Sequence, residues 1–268
     1  MRLHHYTNRT GLVGVLADRT LWATDIRFLD DTSEVRYSRE LLRDRAVNLQ
    51  PELDTEYGAH VSGLAARILA DALTIPKTYV ASLCEEGDNL TLWQSYGDRG
   101  HGFALGFGQL RLYEAAQAFG YNLLPILYDP VEQAAHCDQA IREAAEIVDG
   151  WGRDSNAPSA PLQALLLGYA FTIVTWQIKN PAFRDQREWR LERMDLPGQA
   201  PCTIRTRLGI AGETPFEDVR LGVSGDFPLE EVVLGPLADC DETEMRGLLD
   251  ARGLHDVTVR KSTVPLRA

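Results

Sequence analysis

The stretch NPAFRDQREWRLERMD, residues 180–195, crowds four arginines and four acids around a short strand-like centre. Successive side chains on a strand point to opposite faces. With Trp189 and Leu191 turned into a core, Glu188, Arg190 and Glu192 therefore share the other side. Two roles stand open for that charged row: a solvated face whose charges compensate one another, or the lining of a cleft.

Downstream of this strand the chain stays strand-rich. CTIRTRLGI (202–210), FEDVRLGV (216–223), EEVVLGP (230–236) and VTVRKS (257–262) carry β-branched residues in short runs, with one helix in DETEMRGLLDA (241–251). Upstream, helices dominate from about Glu132 to Ile178, broken by the loop WGRDSNAPSAP (151–161). Before them come the strand KTYVASLC (77–84), the turn EEGDN, a short helix LTLWQSYG (90–97), the glycine-rich turn GDRGHG and the strand FALGF (103–107). The opening residues RLHHYT (2–7) predict a strand. NRTGLVGVLADR (8–19) predicts a helix with Leu12, Val15 and Leu16 on one face, capped by Thr7 or Asn8. TLWAT (20–24) predicts a second strand, and the acid-rich loop DIRFLDDTSE leads into a helix from about Ser33, followed by helical sequence to about Leu73. Strands at both ends and in the middle, with helices inserted between them, make an α+β pattern with no regular βαβ alternation.

A chain of 268 residues, 44% hydrophobic and 25% charged, can bury a substantial core as one large domain or two closely packed lobes. Its formal net charge of -12 excludes general electrostatic attraction to nucleic acid or anionic membrane, although a local basic patch is compatible with it. Cys84, Cys137, Cys202 and Cys240 form no CxxC pair and read as free thiols of a reducing compartment. No apolar signal region follows the N-terminus, so a cytoplasmic location is expected. PLQALLLGYAFTIVTWQI (161–178) is nearly all apolar but short for a span and without anchors on both sides; it predicts a helix buried in the protein.

Several common signatures do not occur: there is no Walker A sequence, no GxGxxG after a strand, no HExxH, no GxSxG and no DxDxDG loop. Gly97, Gly100 and Gly102 fit a helix-to-strand turn. His4 and His5, neighbours on a strand, diverge, so at most one of them serves a given site. His136 beside Cys137 reads as a surface histidine. The acids of FLDDTSE suit either a helix-entry loop or a site lining, and no metal set is expected.

Five stretches in order, HYT entering a helix, LWATDIRFLDDTSE, SLCEEGDNLTLWQSYG running on to GFALGF, PAFRDQREWRL, and VRKSTVPLR, resemble the prokaryotic family called domain of unknown function 2971 (DUF2971). The resemblance spans almost the whole chain, with Asp30, Asp31 and Thr32 where that family usually has Asn-Asp-Pro. More remotely, HHYT on a first strand, the strand-loop-helix around residues 81–97 and a late-strand Glu resemble ADP-ribosyltransferases, the DNA-modifying toxins among them sharing the His-x-Thr opening. That resemblance implies a single domain over 1–268, with a split, mostly antiparallel sheet around an NAD cleft and helical insertions at about 33–75 and 130–178.

Breaking the bond between nicotinamide and ribose develops positive charge on the sugar. Such a site needs a carboxylate, groups that fix the ribose and an aromatic surface for the ring. By resemblance Glu188 is the catalytic glutamate, with Glu192 the second choice. His5 and Thr7 would hold ribose and neighbouring groups of NAD, beside Ser82; Trp93 and Tyr96, sharing a helix face, would form the nicotinamide wall or simply pack. Arg190 would neutralise the pyrophosphate or pair with Glu188 or Glu192. The expectation is an enzyme that takes NAD as substrate without a metal and modifies a macromolecule, nucleic acid or protein, in a toxin or phage-defence setting with a cognate antitoxin as a further partner. A silent nucleotide-binding or protein-interaction module, and a metal-dependent nuclease or glycosidase using the acids from Asp30 to Glu34, are the rival readings.

Overall fold

The computed structural model describes residues 1–28, 32–71, 77–195, 203–209, 212–222 and 227–266. Asp30, Asp31, Cys202 and the side chain of Glu34 lie outside what it describes. In chain order the elements are β1 (Arg2–Thr7), α1 (Arg9–Asp18), β2 (Thr20–Asp25), α2 (Thr32–Tyr57), α3 (Leu64–Asp71), β3 (Thr78–Cys84), α4 (Leu90–Ser95), β4 (Phe103–Gly108), α5 (Gln109–Ala118) and β5 (Asn122–Pro125). They continue with α6 (Pro130–Arg153), α7 (Ala160–Trp176), β6 (Glu188–Met194), β7 (Ile204–Gly209), β8 (Gly212–Arg220), β9 (Leu229–Leu234), α8 (Glu242–Asp250) and β10 (Thr258–Lys261). The class is α+β, with a mixed, mostly antiparallel sheet.

The chain forms two compact units: Met1–Phe28, Thr78–Pro125 and Gln186–Ala268 make the first, and Leu29–Lys77 with Ile126–Asp185 the second. The helical segments expected as insertions fall in the second unit.

The first unit is built on the sheet, in the order β10-β9-β4-β1-β3-β2-β8-β7, with β6 against β3 and β5 against β6. Only β9 and β10 run parallel among the described pairs. Alternation sends Leu3, Leu83, Leu105, Phe107, Leu191 and Val232 into one core, where Leu12, Val15 and Leu16 of α1 meet them. Fully burying such a side chain is worth about 1.5–3 kcal/mol. Asn8 starts α1 by accepting the Gly11 N–H at 2.9 Å. Between α4 and β4, Asp98 and Arg99 take φ values of 52° and 53° and Gly100 one of 93°, a left-handed reversal affordable here because a glycine shares it.

One feature of the sheet positions the candidate site. β3 pairs with β6 along its whole length, from Thr78↔Met194 to Cys84↔Glu188. Its other edge is divided: β1 meets it at His4↔Cys84, and β2 meets it at Thr24↔Val80 and Asp25↔Tyr79. Ser82 falls between the two, where the sheet branches.

The second unit is helical. Leu42, Leu49 and Leu53 of α2 pack with Ile141, Ala145 and Val148 of α6 and Leu167 and Phe171 of α7. Buried Gln133 ties the start of α6 to the chain by donating to the carbonyls of Leu127 and Lys179, each at 2.7 Å. The apolar stretch 161–178 is α7, and no helix among the described residues is long and apolar enough to cross a membrane.

Candidate functional site

The charged row of β6 is not solvated. Leu191 is fully buried in the core as alternation requires, yet on the opposite face Glu188, Arg190 and Glu192 are only 6%, 3% and 1% exposed. Burying charge is unfavourable unless partners are supplied. Arg190 supplies one, its Nε donating to Glu188 Oε1 at 2.7 Å and its Nη2 to Oε2 at 3.3 Å. Ser82, directly opposite Arg190 in the β3–β6 register, donates its hydroxyl to Glu188 Oε1 at 2.8 Å. Arg190 is thus paired with Glu188.

His5 joins this group from β1. Its Nδ1 lies 2.9 Å from the Ser82 carbonyl, at the branch of the sheet. A carbonyl only accepts, so Nδ1 carries the hydrogen and Nε2 keeps a lone pair in the neutral ring. Burial lowers the His5 pKa, opposed by the bond to Ser82 and assisted by the positive charge of Arg207. Ser82 thus holds His5 through its carbonyl and Glu188 through its hydroxyl, with Arg190 on the same carboxylate.

The other expected residues are placed differently. Thr7 shares the His5 side of β1, but its hydroxyl lies against the first turn of α1, where a side chain in place of Gly11 would collide with it. Trp93 is fully buried, edge-on to Tyr6 with ring centroids 4.8 Å apart, and its Nε1 donates to Asp88 at 2.8 Å. A ring enclosed in this way offers no face to a ligand. Tyr96 is 50% exposed and caps the C-terminus of α4, its N–H bonded to the Leu92 carbonyl at 2.9 Å.

Glu192 stands opposite Val80 and Asn122 on the same face as Glu188. Its Oε1 has no partner, and burial pushes its carboxyl up to about 7 in spite of a hydrogen bond from Asn122 and the charge of Arg190.

His4 and Glu231 have no role in the sequence reading, yet the register links them to Glu188. Glu231, Gly106, His4, Cys84 and Glu188 stand opposite one another in turn across β9, β4, β1, β3 and β6. His4 leans over Gly106 to put Nε2 3.0 Å from Glu231 Oε2. A Cβ at Gly106 would fall 2.9 Å from that nitrogen, so only glycine leaves the ring its path. Cys84 beside it is no nucleophile: the carbonyls of His4 and Glu86, 3.2 and 3.3 Å from its sulfur, share its one S–H hydrogen, and burial drives its pKa far up. The adjacent histidines diverge as expected, one toward β9 and one toward β3. Among the described residues no group of three or more His, Cys, Asp or Glu side chains is placed to hold a metal ion.

Residues 92–191 match the family model described as protein of unknown function (DUF2971). The DUF2971 match covers less than half of the chain, running from α4 into β6; it contains Glu188 and Arg190, while His5 and Ser82 precede it. No curated protein and no solved structure matches the chain.

Proposed function

We propose that the chain takes NAD as substrate and transfers ADP-ribose to a macromolecule, nucleic acid or protein, with Glu188 as the carboxylate beside the reacting ribose. The setting this reading implies is a toxin or phage-defence effector with a cognate antitoxin. The observation that carries it is the gathering of His5 on the Ser82 carbonyl and of buried Glu188 on the Ser82 hydroxyl, at the place where β3 parts from β1. A carboxylate fixed by a hydroxyl and a guanidinium is preorganised, so it needs little rearrangement when positive charge develops on the sugar. His5, with its Nε2 lone pair, is suited to accept a ribose hydroxyl, and Ser82 holds Glu188 in place. The chemistry asks for a carboxylate and hydrogen bonds, so NAD binding is expected to persist in excess chelator.

The test is nicotinamide release by Glu188→Gln, which keeps the shape of the side chain and removes its charge. Turnover should fall by on the order of 10²–10³ with NAD affinity nearly unchanged. Equal turnover in variant and wild type removes Glu188 from the reaction. A second reading, a binding module without turnover, is favoured by the double engagement of Glu188 with Arg190; it predicts NAD binding by calorimetry and no nicotinamide release by the wild type.

A further inference from the structure

The first unit contains a cavity of about 690 Å³, within the size range of small-molecule sites. Arg2 and His4 of β1, Arg111 of α5, Glu230 and Glu231 of β9 and Arg260 of β10 line it, with Glu85, which is engaged by Trp189 Nε1 at 3.1 Å and lies 4.0 Å from Arg187. His4, 6% exposed, has no partner at Nδ1. Glu231 takes His4 at one oxygen and, at the other, Arg260 Nε at 3.2 Å and Arg2 Nη1 at 3.5 Å. The hydrogen bond from His4, together with those guanidinium groups, holds the Glu231 carboxyl well down, at about 2. Glu230 in turn takes Arg2 Nε at 3.1 Å. Both glutamates of β9 are therefore already satisfied by cationic or ring donors.

The arginines are not used up. A guanidinium carries five N–H donors in a fixed fork. Arg2 spends Nε and Nη1 on the glutamates; Arg260 spends Nε on Glu231 and sets Nη1 3.6 Å from Asp88. Arg111 gives only Nη2, at 3.3 Å, to the carbonyl of Phe227 and pairs with no acid among the described residues. It also lies in the first turn of α5, a helix of ten residues with no capping side chain and no acid in that turn, so the positive helix end adds to the same cavity. A purely structural ion-pair network accounts for Arg2 and Arg260 but leaves Arg111 without a purpose.

We propose that this cavity binds a phosphate-bearing small molecule, whose phosphate oxygens are taken by Arg2, Arg111 and Arg260. Guanidinium forks from three separate elements match the bidentate geometry of a phosphate. The exposed side chains of Leu110 and Met1 beside them offer apolar contact to whatever carries it. The assignment stands apart from the reading of Glu188.

Pyrophosphate titrated into the full chain by calorimetry provides the test, with Arg111→Gln as the variant. Wild type should show saturable binding that weakens as salt is raised. Arg111 is exposed, so Arg111→Gln should keep its melting temperature while affinity falls about tenfold, the loss of one charge-assisted contact. Absence of saturation, or an affinity indifferent to Arg111→Gln, would each overturn the assignment. Arg260→Gln, measured where its circular dichroism matches wild type, should repeat the loss; unchanged affinity there removes Arg260 from the site.

Discussion

Glu192 shows what a buried acid does when its partners are incomplete. Its carboxyl titrates at about 7 in the folded chain against 4.5 when unperturbed. A raised folded value favours folding fully below 4.5, and that contribution is lost as pH climbs to about 7, amounting to about 3 kcal/mol for a shift of this size. Glu192→Gln abolishes the titration. Relative to wild type the variant should therefore gain stability between about pH 5 and about pH 8, by a few kcal/mol, as read from urea denaturation at both ends. A gap that does not change with pH would mean that Glu192 stays ionised throughout. Trp93 and Tyr96 make a second contrast. Trp93→Ala should cost about 3–5 kcal/mol as a core truncation, whereas Tyr96→Ala should cost less than about 1 kcal/mol, because half of that side chain is already in water. Comparable losses in thermal melts would show that Tyr96 packs as firmly as Trp93.

Among the elements, β4 depends on a missing side chain. Gly106→Ala would bring a Cβ to 2.9 Å from His4 Nε2 and 3.1 Å from the Cβ of Glu231, and the second of these belongs to a strand that cannot retreat. A loss of about 1–3 kcal/mol is expected, together with weakened pyrophosphate binding as the Glu231 network shifts; a melting temperature equal to wild type would show that the ring has another path. Much of the fold is legible from residue patterns, and the exceptions have physical causes. β6 follows from parity along the strand, β1, β3 and β4 from short β-branched, aromatic and apolar runs bounded by turns, and α1 from its cap at Asn8. α5 starts at Gly108, which has no side chain to cap it, so the usual start signal is missing. β5 is four residues long and ends in Pro125, too short for an alternating pattern to show. The site is legible only in part. The row Glu188, Arg190, Glu192 is a matter of parity along one strand, but the His4–Glu231 contact spans 227 residues and depends on a register across β4 that no local pattern reveals.

The whole molecule carries a formal charge of -12, which opposes polyanions in general even though arginines gather in one cavity. Non-specific duplex DNA should therefore bind more weakly than the micromolar-to-hundred-micromolar range common for DNA-binding proteins, as measured by filter retention near physiological salt. Tight, salt-sensitive retention would show that the net charge does not govern its contact with DNA. The two units also differ in when they can be assembled. Everything in the second unit has been synthesised by Asp185, whereas the first unit draws its strands from three separate stretches of the chain. On the ribosome, the helical core of α2, α6 and α7 can therefore close early, while β3 waits for β6, β2 for β8 and β4 for β9. Glu188 reaches Ser82 once β6 is made, but Glu231 and Arg260 arrive only with β9 and β10. A nascent chain halted after Met194 would hold the candidate catalytic carboxylate and still lack Glu230, Glu231 and Arg260 of its arginine cavity, so a pause in translation there separates the two sites in time.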